Sequence, residues 1–440
     1  MHRALVRLGL AACLVAATAF AAQARGLLRD ADIEYALKQV ATPVLRAAGL
    51  SPSSVRILVV NDNTLNAFVA DTQHIFINYG LLLKLDSAPA LQAVIAHEAA
   101  HIANGHLTRR AGNLRTARTV AGLGAVLAAA AAVSGSPQAA AGLALGTAGS
   151  ARRVFFGHTR AEESSADQTS IRLLVRAGIP VQGALDVMEI FAGQELLRPG
   201  RQDPYARTHP LSRDRLRALR AQAQAFEDRG KPNPAGEYWF QRAKGKLSAF
   251  TRAPGWTFRR SKESPSADIR HMREAIAYHR QSNLKKATAS IDKALALRKN
   301  DPFLLELKGQ IQLESRQYAA AVATYKRASA LAPGEALILG GYGRALLAAK
   351  QYRAALPILE RARAADFRDA RILRDLSVAY ARSGQNGMAS LVTAERYALQ
   401  GRLKDAELHA KRAVDLLPPG SGPARRAQDV LSAAKRAKRR

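Results

Sequence analysis

One spacing limits what the C-terminal half of this 440-residue chain can fold into. Ala287, Ala321, Ala355 and Ala389 fall 34 residues apart, as do Ala294, Ala328 and Ala362, and the pair Gly309 and Gly343. Tyr318 and Tyr352 keep the same step, and so do Leu346 and Tyr380. A period this long is a supersecondary unit repeated. Small residues recurring at fixed phase fit paired helices that approach closely, one helix-turn-helix per period. Such units bury their apolar faces only by stacking, so the expectation is an all-α solenoid with a concave face open to a binding partner. Ala406 falls half a period after Ala389, and Ala413 to Pro418 reads as a closing helix.

Chemistry concentrates in the other half, at Val94-Ile95-Ala96-His97-Glu98-Ala99-Ala100-His101-Ile102-Ala103-Asn104-Gly105-His106. The stretch reads as a helix. Ser87 or Asp86 suits its N-cap, Pro89 its first turn and Gly105 its stop. His97 and His101 are four apart, so both imidazoles leave one face and can grip a metal ion from one side. Glu98 sits one residue round, placed to take a proton from a water polarised there and pass it to a leaving amine. An HExxH string can arise by chance in an Ala-rich helix. Against chance, two unpartnered imidazoles on an apolar helix are costly to bury, and a metal supplies the partner.

A third ligand is sought in the acidic segment from about Thr159 to Ala177. Glu163 and Asp167 are four apart and share a face, so Glu163 can reach a metal while Asp167 hydrogen-bonds a ligand imidazole and fixes its tautomer. Glu162 is set aside only by that shared face. A solvated acidic first turn would serve the helix dipole equally well. His209 precedes Pro210 in an extended segment. It can swing over the metal to stabilise an oxyanion or to occupy the open position as a brake, although a lone surface histidine reads the same way.

Residues 28 to 50 carry helical periodicity, Val55 to Val60 reads as a strand, and Asn66 to Val69 with His74 to Asn78 as a hairpin around Asp71-Thr72-Gln73. A polypeptide adding to the edge of that small sheet would lie across the metal. From Thr119 to Ser150 the chain is almost free of charge, in two apolar arms each shorter than the roughly twenty residues a bilayer crossing needs. The expectation is a helical hairpin over the active site or in peripheral contact with a membrane surface, with a true span as the rival. The assigned organisation is a signal peptide at 1–24, a catalytic domain at 25–245 containing the 119–150 hairpin, a linker at 246–265, repeats at 266–431 and a solvated, disordered basic tail at 432–440.

The N-terminus sets the compartment. Arg3 and Arg7 precede the apolar run Leu8 to Phe20 and the Ala22-Gln23-Ala24 cleavage pattern, as in an exported protein. Leu10-Ala11-Ala12-Cys13 competes as a lipoprotein signal, but the apolar run continues past it. Cys13 is the one cysteine, so the processed chain has no disulfide or thiolate chemistry. The net charge of +31 is spread along the chain rather than gathered in a block. It fits an Arg and Ala bias or attraction to an anionic surface. No aromatic-interleaved basic motif points to nucleic acid.

Together these segments resemble the periplasmic zinc metallopeptidases of the BepA/YfgC type, in metallopeptidase family 48, relatives of HtpX and the CAAX prenyl proteases. The resemblance rests on the signal peptide, Asn66-Ala67-Phe68, the HEAAH string, the acidic helix, His209-Pro210 and C-terminal tetratricopeptide repeats. It implies an α+β zincin-like catalytic domain, mostly helical with a small sheet, and one zinc ion per chain held by His97, His101 and Glu163. Glu98 would act as general base, with Asp167 and His209 in supporting catalytic roles. The family's E-x-E-A-D element reads Glu163-Ser164-Ser165-Ala166-Asp167 here, with Ser165 in place of the second glutamate, and its H-P-x-x-x-x-R element reads His209 to Arg215. The implied biology is periplasmic quality control of misfolded or stalled outer-membrane proteins, with partner proteins docking on the repeats. A repeat adaptor or chaperone with a latched or inactive peptidase domain is the rival from another class, and an integral membrane peptidase is a second.

Overall fold

The computed structural model describes residues 26–109, 160–197, 201–209 and 212–438. The signal peptide and the apolar 119–150 hairpin expected from the sequence lie outside these residues. Among the described residues no helix is long and apolar enough to cross a membrane. The chain divides into two units, one comprising residues up to Arg29 and Ala36–Lys244, the other Asp30–Tyr35 and everything from Gly245.

The first unit is built on a four-stranded sheet in the order β1-β2-β4-β3, where β1 is Leu27–Leu28, β2 Arg56–Val60, β3 Ala67–Val69 and β4 His74–Asn78. β2 runs parallel to β4, with Ile57 opposite Ile75, and is antiparallel to β1. Being interior, it buries Ile57, Leu58, Val59 and Val60 in an unbroken run where an edge strand would alternate. β3 turns back antiparallel on β4 and forms an edge, against the helix Ala88–Ala103 and the short helix Pro204–Thr208. The helix Ala88–Ala103 is mostly apolar and buried at every position from Ala90 to Ile102, its polar Gln92, His97, Glu98 and His101 included. Its start is defined twice: Ser87 Oγ accepts from the Ala90 N–H at 3.2 Å, and the Ala88 N–H donates to Glu237 Oε2 at 2.8 Å. Inside the domain the Gln92 amide donates to the Val40 carbonyl at 3.0 Å, tying this helix to Ala31–Ala47.

The second unit is a run of helices from Ala267 to Lys438. The 34-residue period governs its backbone as well as its packing. Ser282, Arg316, Lys350 and Gly384, each 34 after the last, take left-handed conformations (φ 58, 62, 60 and 79°) in the turns within successive helix pairs. Asp301 and Asp369, two periods apart, cap the helices Pro302–Glu314 and Ala370–Arg382 by accepting two N–H groups each. Ala287, Ala321, Ala355, Ala294, Ala328 and Ala362 are all fully buried where helices meet.

Two sequence expectations need correction. The expected linker at 246–265 is helical, formed by the end of Pro234–Thr251 and by Pro254–Ser261. Its polar letters misled: Lys246 is fully buried, with its ammonium 2.9 Å from Asp30 Oδ1, 3.7 Å from Asp32 Oδ2 and 3.6 Å from Glu306 Oε2. Pro254 stands in the first turn of a helix, where proline is no breaker. The expected disordered tail continues the helix Gly422–Lys438, because Ala424, Ala427 and Ala434 make one buried stripe while the basic residues Lys435 and Arg436 face water.

Two outcomes follow from this packing. A Cβ on Gly343 would overlap the Leu359 side chain, and one on Gly309 would lie 2.8 Å from the Tyr325 ring. Alanine improves helix propensity by about 1 kcal/mol, but overpacking a full core costs about 1–3 kcal/mol. Gly343→Ala is therefore expected to lower stability in urea denaturation, by roughly 1 kcal/mol net. The second outcome concerns Glu306, which burial raises, Lys246 lowers, and Asp30 and Asp32 raise, to about 7 from an ordinary 4.5. Between those values the folded chain keeps a proton that the unfolded chain has released, so stability is lost as pH rises through the window. Glu306→Gln removes that dependence. Its stability relative to wild type is expected to rise from pH 5 to pH 8, by at most on the order of 3 kcal/mol, read by denaturant titration at the two pH values.

Candidate metal centre

Two helices and one turn converge on a single point. The helix Ala88–Ala103 presents His97 and His101 from consecutive turns. Helix 160–176 presents Glu163, and His209 arrives at the C-terminal end of Pro204–Thr208. His209 is seated by its own N–H, which donates to the Tyr205 carbonyl at 2.7 Å, while the Tyr205 N–H donates to the Leu65 carbonyl at 3.1 Å just before β3. All four side chains are buried, and their ligating atoms lie within 4.8 Å of one another.

The separations between these atoms test what the cluster can hold. His97 Nε2 is 3.1 Å from His101 Nε2, 3.3 Å from His209 Nδ1 and 3.3 Å from Glu163 Oε2. Glu163 Oε2 is 3.0 Å from His209 Nδ1, and Glu163 Oε1 is 3.4 Å from His101 Nε2. Four donors placed tetrahedrally at about 2.0–2.1 Å from a cation stand roughly 3.3 Å apart. The side chains thus fit a small divalent ion. Three imidazole lone pairs aimed at one another would repel, and a cation or shared protons must satisfy them.

Each imidazole also has a polar neighbour on its far side. His97 Nδ1 lies 3.2 Å from Asp167 Oδ1, His101 Nδ1 lies 2.9 Å from His106 Nδ1, and His209 Nε2 lies 3.4 Å from Glu98 Oε1. Asp167 is gripped in turn by Arg215, whose Nε and Nη2 donate to its two oxygens at 2.7 and 2.9 Å. Burial alone would push the His97 imidazolium down, but Asp167 and Glu163 outweigh it and lift it to about 10. Burial likewise raises Glu163, and His209 and His97 reverse this and hold its carboxylate well below the usual range. Asp167 is lowered in the same manner by His97 and Arg215. Tyr205 packs over the His209 ring at 4.6 Å and stacks on Phe191 at 4.5 Å, closing the cluster on one side. Burial and the neighbouring carboxylates Glu98 and Glu163 push its phenol well above 10.

The structure brings His97, Glu98, His101, Glu163, Asp167 and His209 together in or against this cluster. Glu162 is buried too but stands apart from the four donors. Ser165 lies off the cluster: the Asn104 amide, at the end of the HEAAH helix, donates to Ser165 Oγ and Thr169 Oγ1 at 3.2 Å each, so this position pins one helix to the other. Sequence reasoning gave no role to His106 or Tyr205. The available signals were a third histidine within ten residues of His97 and an aromatic one helical turn before His209.

Residues 28–223 match the Peptidase family M48 model, and residues 312–377 match a tetratricopeptide repeat model. Among curated relatives, the beta-barrel assembly-enhancing protease of Escherichia coli (strain K12) is 26% identical over 45% of this chain and 40% of its own length. The Yersinia pestis protein of that name is 25% identical over 60% of this chain and 55% of its own. The putative one of Vibrio cholerae is 29% identical over 38% of this chain and 34% of its own. The chain therefore spans at most about half of these relatives' lengths. Among solved structures, YrrB, a TPR protein with an unusual peptide-binding site, is 20% identical over 39% of this chain and 89% of that one, with a TM-score of 0.32. Residues 28–223 are thus similar to the M48 peptidases, and residues 312–377 to tetratricopeptide repeats.

Removing Arg215 leaves the Asp167 carboxylate buried without its bidentate partner. Breaking one side of such a pair costs about 3–5 kcal/mol, so Arg215→Met is expected to lower the denaturation midpoint of the first unit far more than a surface Arg217→Met control.

Proposed function

We propose that this M48-like domain with its repeats is a zinc-dependent endopeptidase of the cell envelope. The observation that carries this reading is the convergence of His97, His101, Glu163 and His209 within 4.8 Å of one another, with Glu98 abutting it. Two or three imidazoles and a carboxylate favour zinc among the divalent ions. Bound there, the ion would supply Lewis acidity to a peptide carbonyl and an attacking water. The chain's own residues supply the rest. His97, His101 and Glu163 hold the ion. Glu98 takes the proton of the attacking water and passes it to the leaving amine. Asp167, clamped by Arg215, keeps His97 in the tautomer whose Nε2 lone pair faces the centre. A polypeptide pairing with the edge strand β3 would be laid beside the helix that bears these residues.

His209 completes the donor set, and four protein donors make a closed site, where catalysis needs an open position. In this reading His209 is a latch that withdraws to admit substrate, which also keeps the adaptor alternative in view. The export signal, the repeats and the relatives' names support a role in the periplasm on outer-membrane proteins, with partner proteins taken by the concave face of the repeats. The 119–150 segment would make peripheral membrane contact.

Casein cleavage by the metal-loaded chain tests both readings. Glu98→Gln is expected to lose about 10²–10⁴-fold, and His209→Ala to match or exceed wild type. Equal, null activity in wild type, Glu98→Gln and His209→Ala would favour the adaptor.

A further inference from the structure

His106 stands outside the donor set and beyond the helix that carries it, yet only 1% of its surface is exposed. Gly105 is what brings it there. At φ +69° this residue ends the helix in a left-handed turn, its N–H returning to the Ile102 carbonyl at 3.1 Å, and the chain folds His106 back beneath the last turn. The His106 ring then meets the His101 ring edge-on, centroids 4.9 Å apart at 72°, with Nδ1 to Nδ1 at 2.9 Å.

That contact has one consistent proton assignment when a cation sits at the centre. His101 Nε2 faces the other donors and must offer its lone pair there, so the His101 proton resides on Nδ1. His101 then donates and His106 accepts, which places the His106 proton on Nε2. We infer that His106 is a positioning residue for the metal centre: it locks His101 in its binding tautomer, as Asp167 does for His97. The two acceptors differ. His97 is backed by a carboxylate, which strengthens it as a donor to the ion. His101 is backed by a neutral imidazole, which orients the ring and adds no negative charge. His101 is thereby the softer-held of the two helix ligands, and its hold depends on one residue.

The inference rests on the metal reading above, and its test separates the two. The metal-free full chain is titrated with zinc alone in competition with a zinc-binding dye. Losing a partner of this kind costs about 10–100-fold in metal affinity, so His106→Leu is expected to weaken zinc binding by that factor. His106→Asn keeps an acceptor oxygen near the position of Nδ1 and should stay within about threefold of wild type. Wild type that binds no zinc overturns the metal reading and this one with it. Tight wild-type binding with His106→Leu equal to it, or with His106→Asn as weak as His106→Leu, overturns the role of His106 alone. Nitrogen-15 spectra of zinc-loaded wild type need no variant to fold: protons on His101 Nδ1 and His106 Nε2 support the assignment, and a proton on His106 Nδ1 overturns it.

Discussion

Imidazole and carboxylate groups that face one another inside an apolar domain repel through their lone pairs unless something positive lies between them, and the first unit is arranged around that demand. Four donors, each with neighbours at 3.0 to 3.4 Å and all within 4.8 Å of one another, occupy a space that only a small cation or a set of shared protons can reconcile. Everything adjacent serves to hold the aim. Asp167, His106 and Glu98 stand behind the three rings, and Arg215 stands behind Asp167. A buried charge network of this kind contributes little net stability by itself. What it confers is direction: each ring nitrogen has one assigned role.

The apolar framework makes this affordable in structural terms. The HEAAH helix is enclosed along its length, so its two histidines cannot slide or rotate without disturbing packed neighbours on several sides. Its N-terminus is fixed by Ser87 and Glu237 and its C-terminus by Gly105 and the Asn104 bonds to Ser165 and Thr169. The helix bearing Glu163 is thus tied to the helix bearing His97 at a point away from the donors. Ser165 falls in that tie.

Much of this was legible in the amino-acid order because it depends on spacing. His97 and His101 share a face at four residues, Glu163 and Asp167 do likewise, and a 34-residue step in Ala and Gly requires stacked helix pairs. The choice between Glu162 and Glu163 was harder, since both are buried and only the pairing of helix faces in space separates them. His106 was hidden by the left-handed turn at Gly105, which breaks the helical phase and defeats any helical-face argument. Residues 246–265 were misread for a related reason. A lysine looks solvated in sequence, whereas Lys246 is enclosed by three carboxylates, two of them from a segment more than 200 positions earlier. The left-handed residues Ser282, Arg316 and Lys350 give no warning either, because side chains that tolerate φ > 0 poorly occupy them.

The enclosure of the HEAAH helix means that an ion bound at this centre would not be what folds the domain. In a zinc finger the metal stands in for a core, and a chelator unfolds the peptide. Here the sheet, the buried helix and its caps already define where the ligands point. Stripping the ion would leave an intact scaffold whose inward-facing nitrogens take up protons instead, ready to exchange them for metal again.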